Sequence, residues 1–230
     1  MVSINSVLRR AGRAMRFGVR DHRKVFEHIY DTRYWGDSES VSGAGSSLAQ
    51  TEQIRAELPK VIERFGIGTL FDAPCGDLHW MREILAKVDI DYIGGDIVPA
   101  VVKLAAENNK SDRASFLVFD ITSDAFPDAD LWLCRDVLFH LANDKIFKAL
   151  ENFASSNVKY ILSTTHTDSS VVNRNMVTGD FRQLNMFAAP FNLPAKAVLY
   201  SFPDFAPPFP SRDMVLLRRE SVAATLAVPR

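Results

Sequence analysis

The sequence predicts a doubly wound α/β domain built on a mostly parallel β-sheet. Between residues 66 and 163, short apolar runs alternate with stretches of helical periodicity. The runs are apolar at nearly every position, which is typical of strands that helices cover on both faces. Two later apolar runs follow one another without a helix between them. Alternation of strand and helix favours a parallel sheet, and the two late runs predict an antiparallel hairpin at its edge.

The elements follow from local patterns. Strands are predicted at Thr69–Asp72, Tyr92–Gly95, Phe116–Asp120, Leu131–Arg135, Tyr160–Ser163, Ala197–Phe202 and Met214–Arg218. Helices are predicted at Ser47–Phe65, Trp80–Val88, Pro99–Asn108 and Asp144–Phe153. Pro59 should kink the first helix, because proline cannot donate a backbone hydrogen bond.

We expect three segments along the chain: a basic leader with a lid (1–50), the α/β domain (51–220) and a C-terminal tail (221–230). The first 20 residues hold five arginines and no acid. They could form a transit peptide or a membrane-surface helix that makes peripheral membrane contact. A solvated leader that packs on the domain is the interpretation we favour.

Composition narrows the class of protein. Hydrophobic residues make up 47% of the chain and the formal net charge is −1, which indicates a globular protein and argues against nucleic-acid binding through bulk charge. The sequence has no apolar run of membrane-spanning length. Only two cysteines occur, Cys75 and Cys134, so we expect a reducing, cytoplasmic location. No metal-ligand motif is evident.

An acid follows each of the first three predicted strands: Asp72, Asp96 and Asp120. Parallel sheets bind ligands at the carboxyl ends of their strands, so these acids should share one edge. Gly76 would provide a tight turn that lets the backbone approach a ligand. A phosphate is disfavoured there, because Asp72 and Asp77 would repel it and no glycine-rich cradle is present.

The acids suit an adenosine that carries a charged amino-acid tail. Asp96 can accept the hydroxyl hydrogens of a ribose. Asp120 can accept from an exocyclic amine such as that of adenine, while Ile97 and Ile121 sandwich the ring.

The motifs LFDAPCGDLHWM, DYIGGDIVPAVV, FLVFDIT and DLWLCRDVLFHL resemble those of class I S-adenosylmethionine-dependent methyltransferases, over roughly residues 51–165. The resemblance implies a seven-stranded, Rossmann-like methyltransferase fold with S-adenosyl-L-methionine over its first half. It also implies that the methionine tail is held by Asp72, Ala73, Cys75 and Gly76, the ribose by Asp96 and the adenine amine by Asp120. Pro74 and Leu78 depart from the family pattern, since glycines are common at both positions.

The segment WGDSESVSGAGSSLAQT resembles the N-terminal lid of some small-molecule and glycan methyltransferases. That resemblance implies cofactor contacts near the methionine carboxylate from Trp35, Gly43, Ser47 and Thr51.

Three side chains are candidate bases for an acceptor hydroxyl. Asp136 and His140 follow the fourth strand and lie four residues apart, so one helical turn would place them on the same face. His166 follows the fifth strand at the same edge. His140 could instead pack at a helix start, and His166 could be a solvated loop residue. Arg135 could hold the cofactor or the substrate.

The segment 173–194 lacks regular patterning and is the predicted acceptor loop. Its Asn173, Phe181, Arg182 and Asn185 suit a polyhydroxylated acceptor, and His79 could face the pocket from the first turn. His22 and His28 are assigned no role.

We therefore expect an S-adenosylmethionine-dependent O-methyltransferase that acts on a sugar or glycan hydroxyl or another polar small molecule. An N- or S-methyltransferase of a small metabolite and a non-catalytic cofactor-binding domain stay open as alternatives. A nicotinamide enzyme is disfavoured, because it would need Gly-x-Gly-x-x-Gly after the first strand. An RNA acceptor is also disfavoured, because the basic residues cluster only in the leader.

Overall fold

The structure is a computed structural model that describes residues 21–36 and 38–228. The arginine-rich leader, residues 1–20, lies outside the described residues, so its transit, membrane-surface or packing role stays a prediction. Within the described ranges, no helix has the length and apolarity needed to cross a bilayer.

Seven strands form one sheet. They are β1 (Thr69–Asp72), β2 (Asp91–Asp96), β3 (Ala114–Val118), β4 (Leu131–Cys134), β5 (Tyr160–His166), β6 (Tyr200–Pro203) and β7 (Arg212–Arg218). Their spatial order is β3-β2-β1-β4-β5-β7-β6. Strands β1 to β5 pair in parallel, and β7 runs antiparallel to both β5 and β6. The predicted fold class, including the antiparallel edge hairpin, is confirmed.

Six α-helices accompany the sheet in the described part of the chain. They are α1 (His22–Asp31), α2 (Glu52–Phe65), α3 (Met81–Leu85), α4 (Pro99–Asn108), α5 (Asn143–Ala154) and α6 (Arg219–Leu226). The prediction missed α1 and α6, and it started α2 too early, at Ser47. The backbone N–H of Thr51 donates to Ser47 O (3.1 Å) in a turn that precedes the helix.

Apolar side chains fill both faces of the sheet. On one face, Phe71 and Trp132 pack with Leu150 of α5 in a fully buried cluster. On the other face, Leu58 of α2 and Leu131 belong to a second cluster. Strands covered on both sides have little freedom to shift, because burial of each large apolar side chain contributes about 1.5–3 kcal/mol. This rigidity fixes the carboxyl ends of β1, β2 and β4, where the cavity described below opens.

Candidate active site

A cavity of about 140 Å³ lies at the carboxyl ends of β1, β2 and β4. Residues of helix α1 and of the segments 35–36 and 38–46 line one side of it, and together these parts are called the lid below. The side chains facing the cavity come from both parts: Phe26, Ile29, Tyr30, Trp35, Val41, Ser42 and Ser46 from the lid, and Pro74, Cys75, Gly76, Asp77, Trp80, Asp96, Ile97, Val98, Val101, Arg135, Asp136, Val137 and His140 from the domain.

The turn after β1 brings the backbone close to the lid. Gly76 has φ +56°, and a Cβ atom there would lie 2.4 Å from the Ser42 hydroxyl oxygen. Glycine fits both the dihedral and the space. The next residue, Asp77, fastens the lid, because its carboxylate accepts from the Ser40 hydroxyl (2.9 Å) and the Val41 backbone N–H (3.0 Å).

Asp96 lies at the end of β2 and faces the cavity, as predicted. Its carboxylate accepts from the backbone N–H groups of Val98 (3.0 Å) and Gly76 (3.3 Å). Burial raises the pKa of Asp96 to about 6, although these backbone hydrogen bonds act in the opposite direction. A buried carboxylate with spare lone pairs is a good acceptor for vicinal hydroxyl groups.

Asp72 lies behind the turn and does not reach the cavity wall. It is 2% exposed, and its Oδ2 accepts from the Tyr92 hydroxyl at 2.8 Å. Burial raises the pKa of Asp72 to about 7, despite the hydrogen bond from Tyr92. Ala73 is also fully buried, and its carbonyl accepts from the Trp132 indole at 2.9 Å. Of the predicted methionine-tail residues, Cys75 and Gly76 face the cavity.

A smaller hollow adjoins the cavity at the end of β3. Asp120, Ile97 and Ile121 line it, and their sandwich of an adenine ring stays a prediction. Oδ2 of Asp120 pairs with Nε2 of His22 at 2.8 Å, and Oδ1 accepts from the Thr122 N–H (2.9 Å) and hydroxyl (2.8 Å). Burial raises the pKa of Asp120, but the hydrogen bonds from His22 and Thr122 outweigh it and hold the pKa well below its usual range. Sequence reasoning gave His22 no role, and this contact with Asp120 gives it one.

Asp136 forms ion pairs with two arginines, Arg135 and Arg212. Its two carboxylate oxygens accept from Nε (3.1 Å) and Nη2 (2.8 Å) of Arg212, and the Thr164 hydroxyl donates to it at 3.0 Å. Burial raises the pKa of Asp136, but the charges of Arg135 and Arg212 outweigh it and lower the pKa. A carboxylate held this way is a weak base, so the geometry favours a positioning role for Asp136.

Arg135 ties the lid to the sheet edge. Its guanidinium lies 2.7 Å from Asp204 and donates to the backbone oxygens of Gly45 (3.0 Å) and Gln50 (3.4 Å). It also lies over the Trp80 ring, 5.5 Å from the centroid. With these partners the buried guanidinium lines the cavity and organises the lid around it.

The tautomer of His140 is set by a backbone contact. Nδ1 lies 2.8 Å from the backbone oxygen of Asp180, and a carbonyl only accepts, so Nδ1 carries the proton and Nε2 keeps its lone pair. The ring stacks on Trp35 of the lid, with centroids 4.4 Å apart. Burial lowers the pKa of His140 to about 4. The imidazole is therefore neutral above about pH 5, with Nε2 unprotonated, and its lowered pKa makes it a weaker base than an ordinary histidine.

His166 has the opposite arrangement. It is 1% exposed, and its Nδ1 accepts from the Leu184 backbone N–H at 3.1 Å. The proton is therefore on Nε2, and the ring packs against Phe139 and Phe181. Burial and the charge of Arg212 lower the pKa of His166 to about 4. Its ring is outside the cavity wall, so the structure separates the two histidines that sequence analysis treated alike.

Hydrogen bonds within the predicted acceptor loop, residues 173–194, stabilise its conformation. Nδ2 of Asn173 donates to the backbone oxygens of Asn185 (2.7 Å) and Ala189 (2.9 Å), and Oδ1 accepts from the Asn185 N–H (2.9 Å). Phe181 packs on Phe139, with centroids 5.3 Å apart. These groups shape the loop, and none of them faces the cavity. Arg182 does not line the cavity either, and its three guanidinium nitrogens are buried with no hydrogen-bond partner among the described residues.

The remaining predicted residues divide between the cavity and its surroundings. Trp35 lines the cavity. Gly43, with φ +92°, lies against the Trp35 backbone oxygen, which a Cβ would approach to 2.8 Å. Ser47 and Thr51 are buried in the turn before α2, where the Thr51 hydroxyl donates to Ser47 O (2.9 Å). His79 pairs with Glu39 at 3.3 Å, away from the cavity wall.

Sequence reasoning missed the lid residues of α1. Phe26, Ile29 and Tyr30 line the cavity, and their spacing of three and four residues is a helical stripe that could have been found. Among the described residues, no group of three His, Cys, Asp or Glu side chains is arranged to hold a metal ion.

Comparison with known proteins agrees with this geometry. Residues 71–160 match the family model described as a methyltransferase domain. The chain carries a class I S-adenosylmethionine-dependent methyltransferase domain. A search of curated proteins found no match to this chain.

Solved structures share the fold of the methyltransferase. An N-methyltransferase from Bradyrhizobium japonicum in complex with S-adenosyl-L-homocysteine is 11% identical, with TM-score 0.64 over 86% of this chain and 98% of that one. Magnesium protoporphyrin IX methyltransferase from Synechocystis gives 13% identity and TM-score 0.61 over 85% and 97%. Human N-acetylserotonin methyltransferase is 18% identical, with TM-score 0.57 over 93% of this chain and 65% of that one. At these identities the likeness establishes the fold, and the acceptor has to be argued from the site.

Proposed function

We propose that the protein transfers a methyl group from S-adenosyl-L-methionine to a hydroxyl of a polar small molecule, with His140 as the general base. One observation carries this proposal: the hydrogen bond from Nδ1 of His140 to Asp180 O, which leaves Nε2 as an acceptor on the cavity wall. When bound, the cofactor supplies an electrophilic methyl on a sulfonium. The chain supplies the positioning and the proton acceptor.

The residues around the cavity suit each part of the cofactor. Asp96 would accept from the ribose hydroxyls, and Ile97 and Ile121 would flank the adenine ring next to Asp120. The Gly76 turn, lined by Cys75, would hold the methionine tail. The carboxylates of Asp96 and Asp77, which both line the cavity, suit a cationic donor better than a phosphate.

The acceptor would lie in the cavity, beside the contacting rings of Trp35 and His140. Trp35 offers a flat ring beside the base, and Asp136 would fix the sheet edge through Arg212 without itself taking a proton. A sugar or glycan hydroxyl remains the acceptor class that we propose, as one member of the polar hydroxylated molecules. The loop amides of Asn173 and Asn185 no longer support it, because they bond within the loop.

Two alternatives remain. An N- or S-methyltransferase would need less proton removal, and His140 would then only orient the acceptor. A non-catalytic cofactor-binding domain would keep the adenosine residues and lack turnover. We also propose a reducing compartment such as the cytoplasm, since Cys75 and Cys134 are both free and buried.

The test is a coupled assay for S-adenosylhomocysteine release across sugars, hydroxy acids, phenols, amines and thiols. For the best acceptor, His140→Gln should lower kcat by about 100-fold or more, with cofactor affinity unchanged. His166→Gln is the matched control and should keep turnover within a few-fold wherever it folds. Equal losses in both variants would remove the assignment of His140 as base, and binding of the cofactor without any turnover would favour the non-catalytic domain.

A further inference from the structure

Arg182 carries a charge that finds no partner in the described part of the chain. All three guanidinium nitrogens are buried, and none has a hydrogen-bond partner among the described residues. Burial lowers the pKa of Arg182 to about 10, so the group stays cationic at neutral pH. A buried arginine is ordinarily paired with an anion, because removal of the charge from water is costly.

Arg182 lies beside the proposed base. Its backbone N–H donates to Phe139 O at 3.3 Å, and its positive charge contributes to the lowered pKa of His140. The guanidinium is therefore within electrostatic range of the His140 ring, behind the cavity wall that this ring forms, and Arg182 itself does not line the cavity. The rings of Phe139 and Phe181, packed 5.3 Å apart, make the surroundings apolar, which strengthens any charge–charge interaction there.

The neighbouring acid does not neutralise the arginine. Oδ1 of Asp180 is also buried without a hydrogen-bond partner, and burial raises the pKa of Asp180. The Arg182 guanidinium and this one oxygen of Asp180, two residues apart and next to His140, suit a ligand that has both an acceptor and a donor. A hydroxy acid has both: its carboxylate would suit the guanidinium and its hydroxyl could donate.

We infer that the acceptor carries an anionic oxygen group, a carboxylate or a phosphate, which binds the guanidinium of Arg182. This inference rests on the proposed function, because it defines the acceptor of that same site. The chemistry of the group suits either anion, since the planar fork of a guanidinium donates two parallel hydrogen bonds to carboxylate or phosphate oxygens. Acidic sugars and aromatic hydroxy acids both belong to the class.

Thermal unfolding at constant ionic strength tests the anion site without any turnover. Acetate should raise the Tm of the wild-type protein by about 3 °C more than acetamide, its neutral counterpart. Arg182→Met should lose that increment, and its own Tm without anion should lie above the wild-type value, because an uncompensated buried charge has been removed. Arg174→Met is the matched control, since Arg174 is an exposed arginine of the same loop and should change neither result.

The same measurement with inorganic phosphate, at the concentration used for acetate, distinguishes the two anions. The anion that raises the Tm more indicates which anionic group the acceptor carries. If Arg182→Met does not fold, nuclear magnetic resonance of the wild-type protein provides the second test. The Nε–H resonance of Arg182 is assigned by its loss in Arg182→Lys. That resonance must shift when acetate is added and must not shift with acetamide.

A lower Tm for Arg182→Met in anion-free buffer, or equal effects of acetate and acetamide, would overturn the inference by showing that the guanidinium is already paired. In the release assay, acidic acceptors should exceed their amides by at least about tenfold, and Arg182→Met should abolish that preference. Absence of all turnover would defeat the proposed function and leave the thermal result to decide on the anion site.

Discussion

Nε2 of His22 lies 2.8 Å from Oδ2 of Asp120, so a lid residue occupies the oxygen that suits the adenine amine. The other oxygen, Oδ1, already accepts two hydrogen bonds from Thr122. An adenine amine that bonds to Asp120 must therefore share or displace the His22 imidazole. If Asp120 binds adenine as proposed, this pairing makes the lid a competitor for that site and connects α1 to cofactor binding.

His22→Ala is expected to tighten the binding of S-adenosylhomocysteine by about fivefold, which corresponds to roughly 1 kcal/mol for one hydrogen bond. Isothermal titration calorimetry measures this. Asp120→Ala is the companion variant and should weaken binding. Weaker binding in His22→Ala would show instead that the histidine holds the lid closed over the cofactor.

Asp96 should make cofactor binding depend on pH. Its pKa of about 6 means that the carboxylate protonates as pH falls through that value, and a protonated acid accepts hydroxyl hydrogens less well. The affinity for S-adenosylhomocysteine should be constant above about pH 7 and fall below pH 6. Asp96→Asn should bind about tenfold more weakly at pH 7.5 and lose this pH dependence. A wild-type affinity that is flat from pH 5 to 8 would contradict the ribose assignment.

Much of this site could be predicted from the sequence, because strand ends are local features. Asp96, Ile97, Asp120 and Ile121 follow short apolar runs directly, and parallel pairing brings such positions to one edge. Gly76 was predictable for the same reason.

Contacts between distant segments could not be predicted. His140 and His166 look alike in sequence, and their tautomers are set by the backbone groups of Asp180 and Leu184. The pairing of His22 with Asp120 depends on how α1 closes over the sheet edge.

Asp72 is expected to reduce the stability of the cofactor-free protein at neutral pH. Because burial raises its folded-state pKa to about 7, the folded protein holds a proton that the unfolded chain releases near pH 4. Stability from this group is therefore greatest below pH 4 and is lost as pH rises to about 7.

Asp72→Asn keeps an acceptor for the Tyr92 hydroxyl and should raise the free energy of unfolding at pH 7.5 by about 2 kcal/mol. Urea denaturation at pH 5 and pH 7.5 measures the effect, which should shrink at the lower pH. Destabilisation by Asp72→Asn at pH 7.5 would show that the carboxylate has a favourable charged partner in the apo protein.

The Asp136–Arg212 pair should be structural. Arg212 donates to both carboxylate oxygens, at 3.1 and 2.8 Å, and its side chain is only 3% exposed. Arg212→Met removes one partner of a buried ion pair and should lower the free energy of unfolding by about 3 kcal/mol, or the Tm by about 6–12 °C. Arg174→Met, at an exposed arginine, should leave the Tm unchanged. If Arg212→Met kept the wild-type Tm but raised the pKa in the kcat profile, the arginine would instead be tuning Asp136 as a base, and His140 would lose that role.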